Sequence, residues 1–190
     1  FDSGGGSVFA DGRVEGFDIQ VAEKTYADFR LVATNRGGHS SAPRPDNAIY
    51  ALAGALKALE AHRFQPMLSD ATRGYYNYVA EHDGGRYGEL VKRFLADPND
   101  RESADKLEAN DPGYTRTRCV ATMLTAGHAP NAMAQRAEAT VNCRIFPGVS
   151  VDHIRQELQA LAGPDVDVTV IEESRTPETA ATPLREDIVE

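Results

Sequence analysis

One histidine of this chain lies in a loop of unusual composition. Residues 37–45 read Gly-Gly-His-Ser-Ser-Ala-Pro-Arg-Pro, so that His39 stands between two glycines and two serines. Glycine lets the backbone turn sharply and approach a ligand closely, and Pro43 and Pro45 stiffen the entry to the next element. An imidazole held in this way can donate a hydrogen bond to a developing oxyanion. The alternative is a loop histidine that bonds only to its neighbouring serines.

Two other polar residues are predicted in a loop or at a strand end, where binding sites concentrate. Asn131 lies in the irregular stretch 127–134 and can either bind a ligand or make a turn. Arg144 stands on the opposite alternation to Val141 and Cys143, so a strand would direct it to the other face of its sheet. There it can bind a carboxylate through two parallel hydrogen bonds. From the residues alone, a solvated charge is the simpler interpretation of Arg144.

The composition is that of an ordinary globular protein and argues against two classes of partner. The chain has 190 residues, of which 41% are hydrophobic and 26% charged, and its formal net charge is −9. Without a basic cluster, no nucleic-acid partner is expected. No apolar run reaches the roughly 18–20 residues of a membrane span, so no membrane partner is expected either. Nothing in the sequence indicates the compartment.

Common catalytic motifs are missing from the sequence. It contains no His-Glu-x-x-His pattern, no nucleophile elbow and no phosphate-binding loop. His62 and His153 are predicted on helices without a histidine four residues further on. The chain therefore has no complete catalytic set of its own.

The first half of the sequence predicts a hairpin, a strand and a helix. Two strand-like runs flank Asp11-Gly12, which is a strong hairpin turn signal. Lys24–Thr34 alternates with one buried face and precedes the histidine loop. Asp46–His62 follows as a helix with Asp46 as its N-cap, and its predicted apolar face consists of Ile49, Leu52, Leu56 and Leu59.

The second half predicts an insertion and three further core elements before a final strand. Residues 64–113 lack strand signals and read as two helices and a short turn at Glu102–Ala109. The elements after it are the strands Arg116–Ala126 and Gln135–Phe146, the helix Ser150–Ala162 and a strand over 166–171. In the first of these strands, one face is predicted to carry Val120, Thr122 and Leu124.

This order predicts an α+β fold. A β-α-β-β-α-β chain forms the ferredoxin-like sandwich, in which four antiparallel strands carry both helices on one face. The helical insertion falls between the first helix and the second strand of that sandwich.

Three motifs, in this order, resemble the dimerisation or lid domain of a zinc metallopeptidase family. The family includes aminoacylases, glutamate carboxypeptidases and succinyl-diaminopimelate desuccinylase. The first motif is a strand followed by Gly-Gly-His-Ser-Ser-x-Pro and a helix that begins near Asp46. Residues 127–131, Gly-His-Ala-Pro-Asn, resemble the family's asparagine-bearing loop, and residues 137–148 resemble its arginine-bearing strand. The resemblance covers residues 24–63 and 114–172.

The resemblance implies that the chain is the dimerisation and substrate-capping part of a hydrolase for N-acyl amino acids or small peptides. In a homodimer, His39 would reach the partner's active site and stabilise the oxyanion. Asn131 and Arg144 would grip the substrate's carboxylate or backbone. Two zinc ions would be held mainly by flanking segments, with Asp2 as the one metal ligand in this chain. The isolated chain is then expected to bind no zinc and to be inactive.

The resemblance also implies a division of the chain. Residues 1–23 would be a hairpin at the junction with the catalytic domain. Residues 24–174 would be the dimerisation domain, including the insertion at 64–113, and residues 175–190 would return to the catalytic domain.

The two cysteines have two possible explanations. If the strands pair with Ala126 opposite Arg136, Cys119 falls opposite Cys143. Directly opposed Cβ atoms lie roughly 4.5–5.5 Å apart, slightly more than a disulfide needs. A cross-strand bridge and two small buried residues therefore both stay open.

A second function needs no catalysis. A ferredoxin-like module that binds a small metabolite and oligomerises for regulation would have the same fold. The site distinguishes the two, because such a module does not need His39, Asn131 and Arg144 to converge on a partner's cleft.

Overall fold

The chain folds into a mixed α/β structure with antiparallel sheets. The structure is a computed structural model that describes residues 5–10, 12–19, 22–178 and 180. Within these ranges the helices are α1 (Ala48–Ala61), α2 (Asp70–His82), α3 (Arg86–Ala96), α4 (Arg101–Asn110) and α5 (Val151–Ala162). The strands are β1 (Gly5–Ala10), β2 (Arg13–Ile19), β3 (Thr25–Thr34), β4 (Gly38–His39), β5 (Arg118–Ala126), β6 (Ala132–Met133), β7 (Arg136–Ile145) and β8 (Val166–Ile171). The pair β1 and β2 is the predicted hairpin.

The main sheet has four strands in the order β5-β7-β3-β8, and each neighbouring pair is antiparallel. Helices α1 and α5 contribute to one core with the inward residues of this sheet. Those of the two central strands are Ala27, Phe29, Leu31, Ala33, Ala137, Ala139, Val141, Cys143 and Ile145. Burying each of the larger ones stabilises the fold by about 1.5–3 kcal/mol. The alternate residues, among them Asp28, Arg30, Asn142 and Arg144, form the opposite face, called the polar face below.

The N-cap of helix α1 is Asn47, not Asp46 as the sequence predicts. The side-chain oxygen of Asn47 accepts a hydrogen bond of 2.9 Å from the backbone N–H of Ile49. Asp46 does not cap because its carboxylate is bound by the guanidinium of Arg44. Of the predicted apolar face, Leu52 and Leu59 are buried and Leu56 packs against the core, but Ile49 is exposed. Ala48 and Ala55 are the other buried residues of this helix.

Strand β5 is one edge of the main sheet, and its pairing with β7 is irregular. The register shifts at Thr122, which is the extra residue of a bulge. Val120 consequently lies opposite Asn142 on the polar face, whereas Leu124 lies opposite Ala139 on the helix face. The prediction that Val120, Thr122 and Leu124 share a face is wrong, because one inserted residue reverses the alternation.

A disulfide bond links the edge strand to its neighbour. Cys119 of β5 and Cys143 of β7 are directly opposite, with Cα atoms 4.1 Å apart. The cross-strand bridge is thus confirmed. The register used to predict it is one residue off beyond the bulge, where Ala126 lies opposite Ala137 instead of Arg136.

Helices α2, α3 and α4 occupy the predicted insertion between α1 and β5. They have a small core of their own, made by Tyr76, Val91, Phe94, Ala104 and Leu107. The segment predicted as a short turn is the helix α4, whose N-cap Asp100 accepts hydrogen bonds from the backbone of Glu102 and Ser103. That cap satisfies two of the free N–H groups at the helix start and explains why a full helix forms.

We expect Gly88→Ala to destabilise the insertion. A Cβ at this position of α3 would lie 1.8 Å from the carbonyl oxygen of Asp83, in the connection from α2. The backbone would have to move, at a cost of about 1–3 kcal/mol. Chemical denaturation of the full-length protein measures the loss. Gly84→Ala is the control, since a Cβ there meets nothing within 4 Å. Equal stability of the two variants would contradict the prediction.

Among the described helices, none is long and apolar enough to cross a membrane.

Candidate functional site

The histidine loop and the asparagine loop lie side by side. The short strands β4 and β6 pair antiparallel, with His39 opposite Ala132. The backbone N–H of Ser40 also donates a hydrogen bond of 2.9 Å to the carbonyl oxygen of Asn131. The tertiary structure therefore brings His39 and Asn131 together at the end of the sheet where β3 ends and β7 begins.

Gly37 allows the two loops to approach this closely. Its φ is +76°, in the left-handed region that favours glycine, and a Cβ would lie 2.8 Å from Cγ of Gln135. The backbone beside it is fixed by a hydrogen bond of 2.9 Å from the N–H of Asn35 to the carbonyl oxygen of Gln135. A larger residue at position 37 would be strained by this φ and would crowd the side chain of Gln135, which follows the asparagine loop.

The hydrogen bonds of His39 determine which ring nitrogen can act on a ligand. The backbone N–H of Ser41 lies 3.2 Å from Nδ1, and the Ser41 hydroxyl lies 2.8 Å from the same atom. A backbone N–H can only donate, so Nδ1 is the acceptor and the proton of the neutral ring is on Nε2. Nε2–H has no partner among the described residues and is exposed with the rest of the side chain. The loop thus presents a hydrogen-bond donor to its surroundings.

Arg44 braces the histidine loop. Its Nη1 donates a hydrogen bond of 3.0 Å to the carbonyl oxygen of Gly37, and its Nε donates one of 2.8 Å to Asp46. The hydrogen bond from Arg44 lowers the pKa of the Asp46 carboxyl. The side-chain amide of Asn35 completes the brace by donating to the backbone oxygen of Asp46. Arg44 was not among the site residues predicted from the sequence. Its position between Pro43 and Pro45, beside the histidine loop, could have indicated its role.

We expect Arg44→Ala to loosen the loop that carries His39, because the carbonyl of Gly37 loses its charged hydrogen-bond donor. Amide hydrogen exchange at Ser40 and Ser41, whose backbone N–H groups are hydrogen-bonded in this loop, should become about tenfold faster or more. Arg44→Lys should recover only part of the protection, since an ammonium cannot make the same set of bonds. Arg63→Ala, at the far end of α1, is the control and should behave as wild type. Unchanged exchange in Arg44→Ala would contradict the brace.

Arg144 lies at the opposite end of the sheet from His39. Its guanidinium stacks over the ring of Tyr26 at 4.7 Å from the centroid, on the polar face as predicted. Among the described residues, no carboxylate forms an ion pair with it. Asp28, the nearest acid along β3, instead accepts hydrogen bonds from Tyr26 at 3.0 Å and from Asn142 at 2.8 Å. Arg144 therefore has donors available for a ligand.

The predicted site residues do not all meet within one chain. Arg144 is opposite Tyr26 at the start of β3, whereas His39 and Asn131 lie beyond Thr34 at its end. From position 26 to position 34 a strand spans roughly 26 Å. Two of the three residues are thus adjacent, and the third is separated from them by the length of the sheet.

A metal site is not visible in the described part of the chain. It contains no group of three or more histidine, cysteine, aspartate or glutamate side chains that could hold a metal ion. Asp2, the predicted metal ligand, lies outside the described residues. The described residues do not supply such a site by themselves, since zinc takes about four ligands.

The fold places the predicted site residues at two opposite ends of one antiparallel sheet. Among the described residues, no metal cluster accompanies either group. Residues 21–167 match the family described as the peptidase dimerisation domain, and the chain belongs to this family.

The similar proteins are much longer than this chain. It is 32% identical over 154 residues to the probable carboxypeptidase S-like 2 of Dictyostelium discoideum, a match that covers 73% of this chain and 27% of that protein. It is 26% identical over 161 residues to the N-fatty-acyl-amino acid synthase/hydrolase PM20D1.1 of Danio rerio, with coverages of 82% and 31%. The chain therefore spans less than a third of the length of these relatives.

Solved structures of similar shape share little sequence with the chain. The M20 family metallo-carboxypeptidase Sso-CP2 of Sulfolobus solfataricus is 17% identical with a TM-score of 0.46, and the match covers 78% of this chain and 43% of that one. The aminobenzoyl-glutamate utilization protein of Klebsiella pneumoniae is 13% identical with a TM-score of 0.47, at coverages of 88% and 32%.

Proposed function

We propose that this chain is the dimerisation and substrate-capping domain of a zinc-dependent amide-bond hydrolase. Its substrates would be N-acyl amino acids or small peptides with a free carboxylate. The observation that carries the proposal is the backbone contact between the two loops, in which His39 pairs with Ala132 and the N–H of Ser40 donates to the carbonyl oxygen of Asn131. Family membership and the names of the relatives, a carboxypeptidase-like protein and an N-acyl amino acid hydrolase, support the same class.

Each of the three site residues has a proposed role. Nε2–H of His39 would donate a hydrogen bond to the oxyanion of the tetrahedral intermediate. Asn131 would bind the substrate backbone, and Arg144 its carboxylate through paired hydrogen bonds. Two zinc ions held outside the described residues would supply the nucleophile by lowering the pKa of bound water.

The separation of Arg144 from the other two residues supports a site shared between subunits. About 26 Å of strand is longer than a small N-acyl amino acid, so one lid cannot place all three residues on one substrate. In a homodimer, one subunit would provide His39 and Asn131 while the other provides Arg144. In this arrangement the active site is complete only in the dimer.

The edge strand β5 is the proposed dimer contact. It pairs with β7 on one side only, and an unpaired edge is a template for another strand. Its apolar side chains are unusually accessible: Val120 is 60% exposed, Met123 64% and Leu124 61%. Helix α1, which contacts β5, adds the exposed Ile49 and Tyr50. Pairing with a partner's β5 would bury these groups and extend the sheet.

Introducing like charges at this edge is expected to separate the subunits. The double variant Val120→Asp/Met123→Asp places carboxylates on the polar face of β5, where two-fold pairing would bring them near their own copies. Light scattering on the full-length protein should then report the monomer mass. Thr169→Asp on β8, the opposite edge, is the matched control and should remain dimeric. A double variant that stays dimeric would exclude this edge.

The ferredoxin-like assignment and the division of the chain belong to the same proposal. The strand order β5-β7-β3-β8, with α1 and α5 in one core, supports a β-α-β-β-α-β sandwich. Residues 1–23 and 175–190 would lead from and return to the catalytic domain, on either side of the lid at 24–174.

The deciding experiment is an assay of the full-length protein on N-acyl amino acids and dipeptides, with and without a chelator. Hydrolysis that a chelator abolishes and zinc restores is the expected result. Folded, zinc-loaded dimer that hydrolyses none of these substrates would overturn the proposal in favour of a module that binds a metabolite.

A further inference from the structure

Three cations meet at the Arg144 end of the sheet. Tyr26, Arg144 and Arg118 lie directly opposite one another on β3, β7 and β5, and so form one row across the polar face. Lys24 precedes Tyr26 by two residues, just before β3. A Cβ built on Gly113 would lie 2.5 Å from Nζ of Lys24 and 3.7 Å from Cδ of Arg118, so these two side chains meet at the same point, and Arg118 is directly opposite Arg144.

Lys24 is held in place by the segment that leads from the insertion into β5. Its Nζ donates a hydrogen bond of 3.0 Å to the carbonyl oxygen of Arg116, which leaves two of its three donors unused. A Cβ on Gly113, whose φ is +89°, would lie 2.5 Å from that Nζ. Burial, helped by the nearby Arg118 and Arg144 and opposed by Glu108, lowers the pKa of Lys24 to about 8. The ammonium group of Lys24 is thus held in a partly buried position, where the loss of hydration disfavours its charged form.

Glu108, a carboxylate beside these cations, is already engaged. Glu108 of α4 accepts hydrogen bonds from the backbone N–H of Gly113 at 2.7 Å and from the hydroxyl of Thr115 at 2.8 Å. The same carboxylate binds Nε of Arg118 at 3.2 Å. Glu108 therefore acts as a fixed support that orients Arg118, and the two terminal nitrogens of that guanidinium have no partner among the described residues.

The local charge is opposite to that of the chain as a whole. Lys24, Arg118 and Arg144 carry three positive charges, and Glu108 pairs with Arg118, whereas the formal net charge of the chain is −9. Asp28 lies further along the polar face, and its oxygens are occupied by Tyr26 and Asn142. Positively charged N–H donors that are held in place and lack partners among the described residues favour the binding of an anion.

We propose that Lys24 and Arg118 complete an anion subsite with Arg144, and that Lys24 determines how strongly the subsite prefers a carboxylate to a neutral group. This inference rests on the proposed function, since the anion it assigns is the carboxylate of the substrate. Arg144 alone can bind one carboxylate edge; Lys24 adds a point charge and two further donors beside it. The proposal also gives the insertion a function. Glu108 of α4 positions Arg118, and the segment between α4 and β5 positions Lys24 through the carbonyl oxygen of Arg116.

Binding to the zinc-free full-length protein tests the subsite directly. Removing zinc prevents turnover and removes the metal as a competing anion receptor. The probes are N-acetylglycine and its neutral amide, N-acetylglycinamide, measured by calorimetry. Lys24→Met should weaken binding of the acid roughly tenfold or more and leave the amide unchanged, since a hydrogen bond to a charged group contributes that much. Lys92→Met, which removes an exposed lysine paired with Glu89 on α3, should match wild type.

Two further measurements separate a charge effect from a structural one. Gly113→Ala should displace the ammonium and weaken acid binding without changing any charge, whereas Lys24→Arg should retain most of it. Raising the pH through 8 and above deprotonates Lys24 and should weaken acid binding in wild type, while Lys24→Met shows no such dependence over that range. The charged groups that face Lys24 are Glu108, Arg118 and Arg144.

Each outcome bears on this inference separately from the proposed function. Acid binding by Lys24→Met equal to wild type, or an equal loss for acid and amide, would overturn the subsite even if the zinc-loaded enzyme hydrolyses its substrates. Selective loss of acid binding would support the subsite even if no substrate in the hydrolysis assay is cleaved.

Discussion

His39→Ala in the full-length enzyme is expected to lower kcat by about 10²–10³-fold, with little change in KM. The reason is the tautomer that the loop enforces: Ser41 donates to Nδ1, so Nε2 carries the proton and faces outward as a donor. A donor aimed at a developing oxyanion stabilises the transition state and not the bound substrate. Steady-state kinetics on the zinc-loaded dimer measure both constants. His153→Ala, on the exposed face of α5, is the control.

Mixed dimers show whether His39 acts across the subunit boundary. Subunits with His39→Ala are combined with subunits in which one ligand of the proposed zinc site, in a segment flanking this chain, is replaced. A hybrid dimer has one active site with all its zinc ligands and an intact histidine from the other subunit, so mixing two inactive variants should restore activity. Absence of recovery in a mixture shown to contain hybrids would contradict action in trans. A large increase in KM at constant kcat would contradict the oxyanion role itself.

Removing the disulfide by Cys119→Ala/Cys143→Ala is expected to lower the free energy of unfolding by about 3.5 kcal/mol. The bond closes a loop with a sequence separation of 24 residues and ties the edge strand β5 to β7. Its loss frees the unfolded chain and loosens the strand proposed to form the dimer contact. Urea denaturation of the full-length protein, with and without reductant, measures the effect.

The reductant supplies the control for this prediction. It should destabilise wild type and leave the double variant unchanged, because the variant has no bond to break. Thiol titration of denatured, unreduced wild type should detect neither cysteine in this chain. Two reactive thiols in that titration would contradict the bond, and equal stability of wild type and variant would contradict its contribution.

Elements whose signals are local could be read from the sequence. The alternation of β3, β7 and β8, the Ser150 cap of α5 and the glycine-rich loop around His39 depend on neighbours within a few residues. The orientation of Arg144 to the polar face also follows from the two-residue period of a strand. For these elements the residues of the segment decide the outcome, and the structure agrees with the prediction.

Elements that depend on distant partners could not be read in this way. Asp46 has the chemistry of an N-cap, yet Arg44 binds its carboxylate and Asn47 takes the position. The bulge at Thr122 is invisible in the pattern of β5, because an exposed edge strand gives little apolar alternation from which to infer register. A sequence pattern shows which side chains could cap a helix or pair across strands. Which of them does so depends on the contacts made in the folded structure.

The sequence by itself determined the order of the elements, the histidine loop and the face on which Arg144 lies, since these follow from local spacing. Only the tertiary structure placed Asn131 beside His39, moved Arg144 to the far end of the sheet, and gathered Lys24 and Arg118 around it. Those placements depend on strand pairing between segments far apart in the chain. Pairing is decided by the burial of a common core and not by the residues of either strand alone.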